Sequence, residues 1–398
     1  MGDPFDRELT EDIKKALESN NRALADKKIR EYLDKENNTP LNIGITGESG
    51  SGKSSFVNAF RGINKQDEGA APTGVTETTM EVTPYSHPNC PNVTLWDLPG
   101  IGTVSYPAKK YLKLVGFERF DFFIIISADR FRENDAKLAQ EIKKMKKEFY
   151  FVRSKIDQNL RDEKESRSSE FNEQTTLSQI REYCIQSLKK QGVVSPQVFL
   201  VSNHHPHLYD FPLLLNTFER ELPAHKRKAL LMAMPNISLE VINKKKKAFD
   251  SKIKYLATLS AAVAAVPVPG LSAAVDISLL VGVVTRWVFG FGLDIPSLRR
   301  LAFYAHVPLD DLRDIIVSSL AAVDITPELV LRLLAEVGGA ATLLAAEEVC
   351  RFIPILGIPA SMALSFTFTY RALKTFLNML AEDAQRVLER ALGLNTSV

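Results

Sequence analysis

Short apolar runs alternate with amphipathic segments between residues 41 and 201. Five runs are short enough to be buried strands, and they lie at 41–46, 93–96, 122–127, 149–152 and 198–201. The stretches between them, such as 133–148 and 173–190, carry apolar residues at helical spacing. Strands that alternate with helices predict an α/β fold with a mostly parallel sheet covered by helices on both faces.

Helical patterns lie on either side of this region. Residues 8–34 predict two charged helices with a break at Asn20 and Asn21, and the strand signals cease after about Pro223. The remainder is rich in Ala, Leu and Val, with Pro and Gly interruptions. We therefore expect three segments, with helices in 1–37, an α/β domain in 38–223 and helices again in 224–398.

Two uncharged runs in the C-terminal part raise the question of a membrane. Residues 255–275 and 352–370 contain no charged side chain, and both are long enough to span a bilayer. Proline and glycine interrupt the runs at Pro267, Pro269, Gly270, Pro354, Gly357 and Pro359. These breaks favour buried helical hairpins, with membrane insertion as the alternative.

The overall charge is nearly balanced, because 50 Lys and Arg oppose 48 Asp and Glu. No global basic field draws the chain to nucleic acid, so we expect no such partner. Residues 226–254 hold nine Lys or Arg against two acidic residues, which predicts a solvated helix face. Contact with an anionic membrane surface is the alternative, with the basic cluster at 244–247 as its first candidate. Three isolated cysteines and an N-terminus without an apolar signal core favour a cytoplasmic protein, which can associate peripherally with intracellular membranes.

The strongest chemical motif lies between the first predicted strand and a helix. The stretch GESGSGKS at 47–54 fits G-x-x-x-x-G-K-[ST] at every position. Such turns wrap backbone N–H groups around phosphates, and the following helix start adds positive potential. We expect Lys53 to reach the outer phosphates and the Ser54 hydroxyl to coordinate Mg²⁺. The predicted nucleotide contacts are Gly47, Glu48, Ser49, Gly50, Ser51, Gly52, Lys53, Ser54 and Ser55.

Two further segments are predicted to meet the magnesium ion and the terminal phosphate. Asp97 follows the run 93–96 and can hold the magnesium shell through water, while Gly100 can offer its N–H to the terminal phosphate. A threonine-rich stretch at 71–79 lies where a nucleotide-sensing loop is expected. Its magnesium ligand is open among three threonines. The working assignment gives Thr73 to the nucleotide and Thr79 to the metal, with Thr78 as the third candidate.

Base selectivity is predicted from Ser-Lys-Ile-Asp at 154–157, which resembles the Asn/Thr-Lys-x-Asp motif of GTP-binding proteins. The Asp157 carboxylate can accept from both N–H groups of guanine, and adenine lacks that pair of donors. The stem of Lys155 is expected to lie over the base plane. Because Ser154 replaces the usual asparagine, one hydrogen bond that ties the loop is predicted to be weaker.

A second part of the base pocket is predicted from Ser202 and Asn203, which follow the run 198–201. Their backbone groups are expected to meet the guanine oxygen. Three histidines follow at 204, 205 and 207, but no carboxylate or cysteine partner is obvious nearby. A loop near the base pocket is therefore favoured over a metal site.

Together, these segments resemble the interferon-inducible immunity-related GTPases. The resemblance rests on GESGSGKSS, EGAAPTGVTETTM, NVTLWDLPGIGT, FDFFIIISADRF, EFYFVRSKID and VFLVSN, within residues 41–203. It implies a dynamin-like GTPase of cell-autonomous immunity, in which N- and C-terminal helices form one helical domain. It also implies assembly on GTP binding and action at membranes of intracellular vacuoles that hold pathogens. Lys53 is typical of the members that keep lysine, rather than methionine, in the phosphate loop.

We predict a magnesium-dependent GTPase, with GTP or GDP and Mg²⁺ as ligands, that couples nucleotide state to assembly with itself. The alternative is a GTP-binding regulatory module that hydrolyses negligibly and sequesters partners. Ile101 stands where many signalling GTPases place a water-orienting glutamine. Glu77 is therefore predicted to act in catalysis across a dimer of GTPase domains, together with Lys53 and Gly100. A solvent-facing loop carboxylate is the alternative for Glu77.

Overall fold

The computed structural model describes residues 4–74, 81–100, 108–128, 133–167, 171–264, 271–339 and 352–394. Its helices are α1 (Pro4–Glu18), α2 (Arg22–Asn38), α3 (Lys53–Phe60), α4 (Ala108–Leu114), α5 (Glu133–Lys144), α6 (Ile156–Arg167), α7 (Glu173–Lys190), α8 (Phe211–Glu221), α9 (Ala224–Ala233), α10 (Leu239–Ala264), α11 (Leu271–Phe291), α12 (Ile295–Ala305), α13 (Leu309–Asp314), α14 (Pro327–Gly339) and α15 (Ala360–Ala391). Its strands are β1 (Leu41–Gly47), β2 (Thr83–His87), β3 (Cys90–Asp97), β4 (Phe122–Ser127), β5 (Glu148–Arg153) and β6 (Val198–Leu200).

The chain divides into two compact units, which differ in boundary from the predicted segments. One unit comprises Met1–Asn38 and Leu239–Val398, and the other is Thr39–Ser238. The sequence-based boundary at 223/224 therefore falls too early. The reason is α9, which packs against β1 and β3 of the α/β unit and buries Leu230 and Ala233 completely. Its pattern is helical, but its apolar face belongs to the sheet.

The α/β unit is built on one six-stranded sheet with the order β2-β3-β1-β4-β5-β6. All neighbouring strands are parallel except β2, which pairs antiparallel with β3. The predicted mostly parallel sheet is confirmed. The edge strand β2 was not predicted, because its residues Thr-Pro-Tyr-Ser-His form no apolar run, and only the last of them is buried.

The central strands explain why the sequence shows continuous apolar runs there. All six residues of β4 are buried, as are six of the seven in β1. Helices on both faces remove every side chain from water, so no alternation is needed. The parallel register places Asp97 beside Ile45 and Gly47 beside Ile126. The carboxyl ends of β1, β3 and β4 therefore meet at one edge of the sheet, where ligands bind in open α/β folds.

The helical unit combines both ends of the chain, as the family resemblance implied. Its longest helices, α10 and α15, pack along each other and are joined by an ion pair between Lys374 and Asp250 at 2.6 Å. The N-terminal helices attach to α10 through Lys252, whose ammonium lies 2.9 Å from the Glu36 carboxylate. Thr10 and Tyr255 are hydrogen-bonded at 3.0 Å in the same unit.

The basic cluster at 244–247 is not a uniformly exposed face. Lys245 is only 2% exposed, and its ammonium donates to the Gly290 carbonyl at 2.9 Å. Lys244 forms an ion pair with Glu240 at 2.9 Å, and only Lys247 in the cluster is classed as exposed. At least two of the four ammonium groups therefore contact other groups of the protein.

The two uncharged runs are partly described. Pro267, Pro269 and Gly270 lie outside the described residues. In the second run Gly357 has a left-handed φ of 64°, and α15 begins at Ala360 directly after Pro359. Within the described ranges, one stretch, Ile277–Ala305, is long and apolar enough to cross a membrane. This is weak evidence, because α11 ends at Phe291 and α12 begins only at Ile295.

Candidate nucleotide-binding site

The turn between β1 and α3 is formed by backbone conformations that exclude side chains. Gly47 has a φ of 137°, and a Cβ there would lie 2.0 Å from the Ile126 carbonyl oxygen. Gly52, which precedes α3, has a φ of 91° and no side-chain cap. Both positions require glycine. The turn therefore presents backbone N–H groups and the free N-terminus of α3, a site suited to phosphate.

Lys53 lies within this turn rather than on the surface. Its side chain is 6% exposed, and its ammonium donates to the Glu48 carbonyl at 2.9 Å. The positive charge is thereby held beside the loop backbone. Ser55 is half-buried on the first turn of α3, and Ser49 and Gly50 are exposed at the loop tip. The contact of Lys53 with the outer phosphates stays a prediction.

Ser54 and Asp97 are brought together from different motifs. The Ser54 hydroxyl donates to the Asp97 carboxylate at 2.6 Å, and Asp97 is fully buried. A carboxylate and a hydroxyl side by side are the hard oxygen groups that Mg²⁺ prefers, so these residues fit the predicted metal. Thr79, the other predicted metal ligand, lies outside the described residues.

Gly100 approaches the phosphate loop closely. A Cβ at this position would lie 2.8 Å from the Ser49 backbone nitrogen, so a side chain cannot be accommodated without displacement. The segment after β3 thus lies against the loop, and the contact of the Gly100 N–H with the terminal phosphate stays a prediction. Thr73 is described and exposed, whereas Glu77, Thr78 and Ile101 lie outside the described residues.

Asn58 of α3 and Arg61, the residue directly after this helix, hold the entry to the threonine-rich stretch, and the sequence analysis did not identify them. The Asn58 side-chain amide donates to the Ala71 carbonyl at 2.9 Å and accepts from the Ala71 N–H at 2.8 Å. Arg61 donates to the Gly69 carbonyl at 3.0 Å, and burial lowers the pKa of its guanidinium. Their only sequence signal is polarity on the helix after the phosphate loop.

The base side of the site is formed by the loops after β5 and β6. Lys155 has a left-handed φ of 56°, and Asp157 lies in the first turn of α6. Both side chains are half-buried. The segments after the two strands are hydrogen-bonded to each other, because the Ile156 N–H donates to the Val201 carbonyl at 3.3 Å. The residues predicted to select guanine are therefore next to Ser202.

Ser154 and Asn203 tie the base side to the phosphate loop. The Ser154 hydroxyl donates to the Ser51 carbonyl at 2.6 Å, and the Asn203 side-chain amide donates to the Gly52 carbonyl at 3.1 Å. The predicted weak tie at Ser154 is therefore a short hydrogen bond, and a second tie accompanies it. Asn203 was expected to contribute its backbone, but its side chain reaches the phosphate loop.

Two buried oxygen atoms at this junction have no hydrogen-bond partner within the described part of the chain, Ser51 Oγ and Asn203 Oδ1. Buried polar atoms are normally satisfied, so such atoms fit a site completed by a polar ligand. Ser202 is fully buried, and its hydroxyl accepts from the His205 N–H at 3.2 Å.

The three histidines lie in the loop after β6. The described residues contain no group of three or more His, Cys, Asp or Glu that could hold an ion. The rings of His205 and His207 are 6.2 Å apart, and burial lowers the pKa of His207.

Comparison with known proteins identifies the family. The model for interferon-inducible GTPases (IIGP) matches residues 6–391. The chain belongs to the interferon-inducible GTPase family. Rat "Interferon-inducible GTPase 5" is 44% identical over 97% of this chain and 83% of the relative. Mouse "Interferon-inducible GTPase 1" is 40% identical over 78% of this chain and 76% of the relative.

Among solved structures, a bacterial dynamin pair covers 97% of this chain and 75% of that chain, with 13% identity and a TM-score of 0.33. A likeness at that level carries no conclusion about assembly. The family-model match and these relatives confirm the predicted family and the predicted enzyme class. This member of the interferon-inducible GTPase family is a GTPase that binds guanine nucleotide.

Proposed function

We propose that this GTPase hydrolyses GTP in a magnesium-dependent reaction and uses its nucleotide state to control assembly with itself. The observation that carries the proposal is the contact of the Ser54 hydroxyl with the buried Asp97 carboxylate at 2.6 Å, next to the loop that holds Lys53. A buried carboxylate is costly unless a cation or donor accompanies it. A carboxylate and a hydroxyl are oxygen ligands that Mg²⁺ prefers, so their contact beside the phosphate loop supports a cation site next to a phosphate site.

Ser54 and Asp97 are the residues that would hold the magnesium ion, the first through its hydroxyl and the second through water. When bound, the ion neutralises charge on the phosphate oxygens. Lys53 adds a second positive charge to the same region, and the N–H groups of the loop orient the phosphates. Catalysis of phosphoryl transfer needs little more than such positioning and charge stabilisation.

Guanine selectivity is assigned to Asp157, with Lys155 covering the base. A carboxylate accepts both guanine N–H groups, and adenine offers no such pair. The ties from Ser154 and Asn203 to the phosphate loop support a single site in which base and phosphates are positioned together.

Assembly, location and biological role are proposed from the family. The resemblance to family members implies assembly on GTP binding and action in immunity. On that basis we propose a cytoplasmic location with peripheral attachment to intracellular vacuole membranes. Glu77 is proposed to help place the attacking water near the bound phosphates when two GTPase domains face each other across their nucleotides. Action in cell-autonomous immunity rests on the same membership.

The test is phosphate release by the purified full-length chain, measured over a wide range of protein concentrations with GTP or ATP and with Mg²⁺ or a chelator. We expect the chain to hydrolyse GTP but not ATP and to lose this activity when a chelator removes Mg²⁺. The specific activity should rise with protein concentration. Asp97→Asn preserves size and an acceptor for Ser54, so it should fold but lose the phosphate release that Mg²⁺ supports. GTP binding without phosphate release at any concentration would favour a regulatory module that sequesters partners.

Membrane attachment needs a separate measurement. The chain is sedimented with anionic or neutral liposomes in the presence of GDP, GTP or a non-hydrolysable analogue. Co-sedimentation that requires GTP and anionic lipid supports the proposed location. Equal recovery in the supernatant under all conditions contradicts it.

A further inference from the structure

A buried chain of three polar groups lies beside the candidate site. The Tyr111 hydroxyl is 2.8 Å from the Pro99 carbonyl oxygen and 3.1 Å from the Thr46 hydroxyl. Thr46 is fully buried and Tyr111 is 2% exposed. The contacts join three elements, namely the end of β1 next to the phosphate loop, the segment after β3, and α4. No feature of the local sequence marks Tyr111 for this position.

The direction of the two hydrogen bonds follows from the groups involved. A proline carbonyl can only accept, so Tyr111 must donate its single hydroxyl proton to Pro99. The bond between Thr46 and Tyr111 is then donated by Thr46. Burial raises the pKa of Tyr111 far above its usual range, so its proton remains in place at physiological pH. Hydrogen bonds that run in one direction strengthen each other.

The acceptor of Tyr111 belongs to the same peptide group as the N–H of Gly100. This peptide is planar and trans, so its oxygen and its hydrogen point to opposite sides. A hydroxyl that holds the Pro99 oxygen therefore also holds the direction of the Gly100 N–H. Gly100 lies against the phosphate loop, where a Cβ would be 2.8 Å from the Ser49 nitrogen. A small rotation of this peptide would turn the N–H away from a bound phosphate.

We propose that Tyr111 is a positioning residue for the terminal phosphate of GTP, and that its hydroxyl acts by fixing the orientation of the Pro99–Gly100 peptide. The inference rests on the proposed function, in which the Gly100 N–H donates to that phosphate. Tyr111 itself contacts no nucleotide in this scheme. Because GDP lacks the terminal phosphate, the contribution of Tyr111 must distinguish GTP from GDP.

Tyr111→Phe removes only the hydroxyl and keeps the ring. Tyr150→Phe is the matched control, because Tyr150 is 3% exposed in the same unit and its hydroxyl donates to Glu221 at 2.9 Å, away from this site. Phosphate release and the dissociation constants for GDP and for a non-hydrolysable GTP analogue are measured on full-length chains. Thermal unfolding of each variant measures the loss of stability caused by removing a buried hydroxyl, which both variants are expected to show.

For Tyr111→Phe we expect kcat to fall by roughly tenfold, less than the 10²–10³-fold typical for removal of a direct donor. The preference for the analogue over GDP should fall several-fold, while GDP affinity stays within about twofold of wild type. Tyr150→Phe should keep the wild-type kcat and preference. If Tyr111→Phe does not fold, Thr46→Val carries the test, since it removes the donor to Tyr111 and should shift the preference in the same direction.

Wild-type kcat and an unchanged preference for the analogue over GDP in a folded Tyr111→Phe would overturn the inference and leave the proposed function intact. The reverse failure looks different, because a wild-type chain without phosphate release contradicts the proposed hydrolysis. In that case the binding preference alone decides whether Tyr111 positions Gly100.

Discussion

The two ties between the base side and the phosphate loop predict a measurable coupling. Ser154 is fully buried and donates to the Ser51 carbonyl at 2.6 Å, while Asn203 donates to the neighbouring Gly52 carbonyl at 3.1 Å. Ser154→Ala and Asn203→Ala each remove one donor and leave the loop with more freedom in the nucleotide-free state. Nucleotide binding must then order the phosphate loop again, and this cost lowers the affinity.

The size of the effect follows from the bonds removed. Leaving a buried carbonyl without its partner costs about 1–3 kcal/mol of free energy, and the net contribution of one hydrogen bond to stability is about 0.5–1.5 kcal/mol. We expect each variant to weaken GDP binding by about 1–2 kcal/mol, roughly five- to thirty-fold. The ties act on adjacent carbonyls of one loop, so the double variant should deviate from additivity by about 0.5 kcal/mol or more.

The assay compares the dissociation constants for GDP and guanosine in the four chains of a double-mutant cycle. GDP affinity should fall more than guanosine affinity, because the ties hold the phosphate loop. Thr217→Val is the control, since this buried hydroxyl also donates to a carbonyl, that of Leu213 at 2.9 Å, but within α8. Equal losses for GDP and guanosine, or strict additivity, would refute the idea that the ties act through the loop.

Four further predictions concern the charge, the base, the pH dependence and assembly. Lys53→Ala should abolish most nucleotide binding by calorimetry, because the phosphates lose the lysine charge; near-normal affinity would place them elsewhere. Asp157→Asn should weaken GTP binding without affecting ATP, as a neutral amide replaces the charged acceptor; an unchanged preference for guanine in competition binding would move the base pocket. Burial lowers the pKa of His207, so the unfolded chain binds more protons there; stability should decline as pH falls below the unfolded pKa of about 6.5, and His207→Asn should flatten that decline in denaturant titrations. Specific GTPase activity should rise with protein concentration and lose that rise in Glu77→Ala; a flat wild-type profile contradicts the dimer mechanism.

Much of the α/β unit could be predicted from sequence because its signals are local. Strands covered on both faces are continuous apolar runs, so β1, β4 and β5 were identified from these runs alone. Elements without such a signal were missed or misassigned. The edge strand β2 is polar, and α9 was assigned to the helical part because a helical pattern does not reveal which apolar surface it covers.

By itself, the sequence determined the chemistry of the phosphate loop. Gly47 and Gly52 must adopt conformations that only glycine tolerates, and Lys53 and Ser54 follow within the same turn, so residue order alone places these groups together. Family membership was also readable, because it depends on motifs rather than on geometry.

Only the tertiary structure decided how distant groups support that loop. Ser154 and Ser51 are 103 residues apart, and Asn203 and Gly52 are 151 apart, yet both pairs are hydrogen-bonded. Tyr111 reaches Pro99 and Thr46 from a third element. The order and register of the parallel strands bring these side chains to one edge of the sheet. Strand order is set by long-range packing, and no spacing along the chain encodes it.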